Sequence, residues 1–102
     1  MESYPLKGIL PPNIVIGSGE YAAPEQLAKK KVVPQTDIYS VGVLLYKMLT
    51  GRFPRQGGKI SSLNPGCDQN WDRFLEKALA PDLAKRFASA QEMEESLAEL
   101  IS

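Results

Sequence analysis

Between Ile38 and Leu49 apolar side chains recur at almost every position: Ile38, Tyr39, Val41, Val43, Leu44, Leu45, Tyr46, Met48 and Leu49, interrupted by Ser40, Gly42 and Lys47. A helix apolar on every side is a buried, central one. The pattern predicts that it begins at Thr36 or Asp37, where either side chain accepts a hydrogen bond from the free amides of the first turn. Thr50 and Gly51 end it, with Gly51 as a glycine cap. Trp71, Phe74, Leu75, Ala78 and Leu79 recur at i, i+3, i+4, i+7 and i+8, which predicts a helix with one packed face, capped by Asn70. A third periodic stretch places Met93, Leu97, Leu100 and Ile101 on one side and opens on Ser89 and Glu92 at capping-box spacing.

The remaining segments read as connections. Residues 1–16, "MESYPLKGILPPNIVI", carry three prolines and two apolar clusters, Ile9 with Leu10 and Ile14 to Ile16. Each proline biases its predecessor away from the helix, so an irregular arm of extended or turn structure is expected. In "GSGEYAAPEQL", Pro24 suits a first helical turn and Glu25 lies favourably against the helix dipole, predicting a short helix from Pro24 to about Lys29. "KKKVVP" reads as a solvated loop ended by Pro34. "RFPRQGGKISSLNPGC" reads as a glycine and proline loop with little helical pattern, and Pro81 with Asp82 turns the chain. The expected architecture is all-α: an arm over 1–16, then one helical domain over 17–102 with a short helix, a buried central helix and two closing helices.

Composition removes more functions than it supplies. One core is expected of 102 residues, 43% apolar and 24% charged. Twelve cations balance twelve anions, so no global field draws nucleic acid or an anionic membrane. Histidine is absent, which removes the commonest general base and metal ligand. Cys67, the single cysteine, has no partner for a disulfide and no histidine to activate it, so it reads as a loop or core thiol in a reducing compartment. The chain opens on Met1 and Glu2 without a basic, apolar leader, and no apolar run reaches membrane-spanning length, so a cytoplasmic location is expected. "QGGKI" fails as a phosphate loop, because Phe53 stands where a glycine is needed and Ile60 where a Ser or Thr is. No cofactor, metal or small-molecule ligand is expected.

Taken in order, "GSGEYAAPEQL", "TDIYSVGVLLYKMLTGRFP" and "ALAPDLAKRFASAQEM" resemble the end of the activation segment, the central helix and the closing helices of the large lobe of eukaryotic-type Ser/Thr protein kinases, closest to the bacterial branch. The resemblance covers about residues 17 to 100. It implies that Ala23, Pro24 and Glu25 form the Ala-Pro-Glu motif and that Glu25 pairs with Arg86, where a fork of guanidinium and carboxylate clamps the loop to the far end of the chain. Taken singly, Glu25 reads as a helix-dipole carboxylate and Arg86 as a surface charge. Asp37 matches the aspartate whose carboxylate holds the backbone of the catalytic loop, a role compatible with an N-cap. Gly42 belongs to the central-helix motif. Gly17, Ser18, Gly19, Glu20 and Tyr21 would form a peptide platform, with Ser18 where the family usually has threonine. Trp71 is expected in the core.

The departures are as informative. Nothing reads as the glycine-rich phosphate cover, the strand lysine, the His-Arg-Asp catalytic loop or the Asp-Phe-Gly metal ligand. The stretch from Arg55 to Leu63 is shorter than the family's, so the helix usual there is expected to be missing. Alone, the chain is expected to be inactive: either a non-catalytic binding or regulatory module, or a piece of an active Ser/Thr kinase, with a plain helical structural domain as the blandest option. Without its usual neighbours the central helix would present Val41, Leu44, Leu45 and Met48 to water, so a cover is expected from the arm, a homodimer or a protein partner.

Overall fold

The computed structural model describes residues 21–101. They form five α-helices and a 3₁₀ turn: α1 (Pro24–Leu27), α2 (Pro34–Thr50), the turn Pro54–Gln56, α3 (Ile60–Leu63), α4 (Gln69–Ala78) and α5 (Ala90–Ile101). No strand occurs among the described residues, and the class is all-α. The arm over 1–16 and the platform residues Gly17, Ser18, Gly19 and Glu20 lie outside the described residues.

Three elements start in one way. In Ala23-Pro24-Glu25-Gln26, Val33-Pro34-Gln35-Thr36 and Phe53-Pro54-Arg55-Gln56, proline takes the first helical position, where a missing N–H costs nothing and a fixed φ suits the turn. The polar side chain two residues further on reaches back past the proline. Gln26 Oε1 accepts from the Ala23 N–H at 2.9 Å, Thr36 Oγ1 from Val33 at 3.1 Å and Gln56 Oε1 from Phe53 at 2.8 Å. Pro34 therefore opens the central helix instead of ending the loop before it, and the helix starts ahead of Thr36 and Asp37. α1 stops at Leu27, short of Lys29, whose left-handed backbone (φ 58°) turns the chain away.

α2 packs against the 3₁₀ turn, α3, α4 and α5, which close over it. Ile38, Val41 and Tyr46 share one core with Ile60, Phe74, Leu75, Phe87 and Met93. The apolar patch expected on α2 is thus largely absent: Val41 and Leu44 are buried, Leu45 packs on the core, and Met48 alone of the four is exposed, at 64%. Gly42 sits where α4 crosses; a Cβ there would lie 2.9 Å from Leu79 Cδ2 and 3.1 Å from Ala78 Cβ. Gly51 ends α2 in the left-handed conformation, its N–H on the Lys47 carbonyl at 2.8 Å.

Residues 52–67 are more ordered than their glycines and prolines suggest. The Tyr46 hydroxyl donates to the carbonyls of Gly57 and Gly58 at 3.1 and 2.5 Å, and Asn64 Nδ2 donates to Leu49 O at 2.8 Å. Ile60, 2% exposed, drops into the core and starts the one-turn helix α3. The Asp72 carboxylate on α4 accepts from the Ser61 N–H and hydroxyl at 3.1 and 2.5 Å, joining α3 to α4. Asp68, not Asn70, caps α4, accepting the Asn70 N–H at 2.9 Å. At α5, Ser89 Oγ accepts the Glu92 N–H at 3.1 Å, while Glu92 Oε1 takes the Ala88 N–H at 2.8 Å. Met93 is buried and Leu97 and Leu100 pack on the core, but Ile101, the last residue of α5, is 69% exposed.

Candidate functional site

Two short loops meet α2 at its first turn. The turn after α4 is shaped by Asp82, whose carboxylate accepts the Ala84 N–H at 2.9 Å and whose carbonyl accepts Lys85 N–H at 2.9 Å. It is anchored by Phe87, which packs on Phe74 with ring centroids 5.3 Å apart. Arg86, between these anchors, is driven inward to 2% exposure. From the other side comes Ala22-Ala23-Pro24-Glu25, with Ala23 fully buried and Glu25 at 7%.

All five N–H donors of Arg86 are used. Nη1 donates to Glu25 Oε2 at 2.8 Å and to Gln35 O at 3.0 Å; Nη2 donates to Glu25 Oε1 at 3.2 Å and to Pro81 O at 3.5 Å; Nε donates to Ala80 O at 2.9 Å. The Thr36 hydroxyl adds a third donor to the Glu25 carboxylate, at 2.8 Å to Oε2. Gln35 completes the knot: its Nε2 donates to Leu83 O at 2.9 Å and Phe87 O at 3.0 Å. The Tyr39 ring covers the guanidinium, 5.1 Å from ring centroid to Cζ. Burial by itself would raise the Glu25 carboxyl, but the hydrogen bonds from Arg86, the backbone and Thr36, with the charge of Arg86, outweigh it and hold the group below the ordinary range. The pair therefore stays ionised although it is dry. Such a pair sets geometry more than it adds stability, and here it binds the stretch before α1 to the first turn of α2 and the 80–87 turn.

The other sequence candidates fall around this clamp. Tyr21, last of the platform stretch, is pinned to α2 because the Ser40 hydroxyl donates to its carbonyl at 2.7 Å, and its ring meets Phe53 edge-on at 5.7 Å. Asp37, in the first turn of α2, is partly buried; that burial raises its carboxyl, and no partner holds it among the described residues. It caps no helix. Trp71 is half-buried against the core, edge-on to Phe74 at 6.2 Å. Cys67 is buried, and burial followed by the charges of Asp68 and Asp72 raises its thiol, which disfavours the nucleophilic thiolate. Sequence reading missed Thr36 and Gln35 as parts of the clamp. Their one signal was their position directly after a helix-opening proline.

Residues 7–102 match the sequence profile of the protein kinase domain. The chain belongs to the protein kinase family. It is 36% identical over 93 residues to a probable serine/threonine-protein kinase PknB of Bifidobacterium longum, covering 76% of this chain and 14% of that protein. It is 32% identical over 97 residues to the serine/threonine-protein kinase PrkC of Bacillus subtilis, covering 80% and 15%. The crystal structure of the Mycobacterium tuberculosis PknI kinase domain superposes with a TM-score of 0.67 at 30% identity, covering 78% of this chain and 34% of that one. The chain thus corresponds to part of a bacterial-type Ser/Thr kinase domain and spans about a third of that solved kinase domain and far less of the curated relatives. Within that kinase frame, the Ala23-Pro24-Glu25 stretch and Arg86 lie 61 positions apart in sequence and meet in one buried ion pair.

Proposed function

We propose that these residues form the helical base of a Ser/Thr protein kinase, which fixes the end of the substrate-facing segment, and that the 102-residue chain by itself transfers no phosphate and serves as a protein-interaction or regulatory module in the cytoplasm. The observation that carries this reading is the Glu25–Arg86 clamp with Thr36 and Gln35, a complete positioning device tying residues 22–27 to the lobe. Phosphotransfer also needs a nucleotide cradle, metal carboxylates and a group that orients the hydroxyl, and none of the corresponding sequence motifs is written in these residues. Among the described residues no helix is long and apolar enough to cross a membrane.

The test is calorimetric titration of ATP with magnesium into the purified chain, alongside radiolabel transfer to a generic basic protein. No heat and no transfer are expected; saturable heat with transfer would overturn the reading. A second reading, that the chain is one piece of an active kinase that phosphorylates proteins, is favoured by its coverage of only 34% of the solved kinase domain. An in-frame upstream sequence encoding a glycine-rich loop and a His-Arg-Asp motif would select it.

A further inference from the structure

Asp72 and Glu76 stand four residues apart on α4 and so share one face of that helix. Like charges at this spacing destabilise a helix unless a cation comes near. Both line a cleft of about 480 Å³ between α4 and residues 58–60, with Pro81 in its wall. The interior is apolar: Ile60 and Leu75 are buried and Leu79 lies beside them. Lys59 is the one cation that lines the cleft, so its rim is net acidic. Asp72 already accepts from Ser61, but those donors are neutral and leave its charge in place. Desolvation alone would raise the Asp72 carboxyl; the Ser61 bonds, the charge of Lys59 and the Ile60 amide outweigh it and keep the group ionised. Glu76 is exposed and makes no ion pair among the described residues.

The walls are fixed before anything arrives. The Tyr46 hydroxyl holds the Gly57 and Gly58 carbonyls, and the Asp72 carboxylate ties α3 to α4. Arg86 holds the carbonyls of Ala80 and Pro81 through Nε and Nη2. Leu79 is braced by α2, since it lies against Gly42. A cleft of this size, apolar within and bearing a few polar groups at its edge, has the form of a binding site, and fixed walls lower the ordering cost of filling it.

We propose that this cleft receives a segment of a protein partner in which an aromatic side chain is flanked by lysine or arginine. Charge complementarity selects the occupant. The apolar interior takes the ring, as buried aromatic anchors do at interfaces, and the carboxylates of Asp72 and Glu76 take the neighbouring cation. An acidic flank meets like charge at both. The proposal rests on the reading of the chain as a protein-interaction module; the ATP assay tests that reading separately, so the two can fail independently.

The test follows backbone amide shifts of the 102-residue chain as acetyl-Lys-Trp-Lys-amide is added in low salt, with acetyl-Lys-Ala-Lys-amide and acetyl-Glu-Trp-Glu-amide as the two comparisons. Saturable shifts centred on residues 58–60 and 75–80 are expected with the first peptide, and binding at least about tenfold weaker with the others. Two variants carry opposite signs. Glu76→Lys should weaken the first peptide at least about tenfold, whereas Lys59→Gln removes the opposing cation and should tighten it. Both side chains are exposed and Lys59 caps nothing through its side chain, so circular dichroism should show each variant folded. Equal binding of the alanine peptide would leave the cleft without a role, and equal binding of the glutamate peptide would leave the carboxylates without one; either overturns the proposal. So would shifts centred elsewhere, or weaker binding in Lys59→Gln.

Discussion

At the scale of single residues, the clamp behaves as a unit because each member is buried with its polar atoms committed. Arg86→Ala leaves the Glu25 carboxylate dry, without its counter-charge and held only by its backbone and Thr36 hydrogen bonds, and should cost about 3–5 kcal/mol in urea unfolding. Arg86→Lys should recover little, since an ammonium offers three donors without the fork where the structure uses five. The pair Glu25→Leu/Arg86→Met should be less destabilised than either single truncation, because it strands no charge. The pH dependence has opposite signs at two carboxyls. Glu25 is held below its ordinary value in the fold, so the unfolded chain binds more protons there; the stability it contributes is present above the unfolded value and lost as pH falls through the folded one. Asp37 is raised by burial, so stability declines as pH rises from its unfolded value to its folded one, and Asp37→Asn should be more stable than the parent at pH 7. Acid titrations of Glu25→Gln and Asp37→Asn, monitored by ellipticity, check both signs.

At the scale of elements, the long apolar pattern and the Gly51 cap made α2, α4 and α5 legible, because burial imposes a period that survives ignorance of the neighbours. Element starts were less legible for a physical reason. The motif of proline followed two residues later by Gln or Thr satisfies the amide ahead of the proline from inside the helix, so Pro34 looks like a stop when it is a start. Ile60 and α3 were hidden because their order comes from side chains distant in sequence, Tyr46 and Asp72. Asp68 and Asn70 are both good caps, and geometry decides: Asp68→Ala should cost about 1 kcal/mol and Asn70→Ala far less. Where α2 crosses α4, Gly42→Ala gains helix propensity but drives a methyl against the backbone-fixed Ala78 Cβ, for a net loss of about 1 kcal/mol, and Gly42→Val should lose more. Chemical denaturation of the four variants orders these effects.

At the scale of the whole molecule, the clamp joins segments far apart in sequence, so a stretch that could not hold a helix alone becomes part of the lobe. The family was readable in the sequence, but the completeness of the clamp was not, since carbonyls of residues 35, 80 and 81 carry no side-chain signature. An isolated four-residue helix is unstable in water, so α1 owes any persistence to what holds Glu25. Native-state amide hydrogen exchange at Leu27, Ala28 and Lys30 tests this most directly. These amides donate to the carbonyls of Ala23, Pro24 and Glu25 at 3.1, 2.9 and 2.8 Å. With the clamp as described, they should exchange at least about a hundredfold more slowly than in unstructured chain and lose that protection in Arg86→Ala while Phe74 and Leu75 keep theirs. Free exchange at these three amides in the parent chain, beside a protected core, would contradict the account.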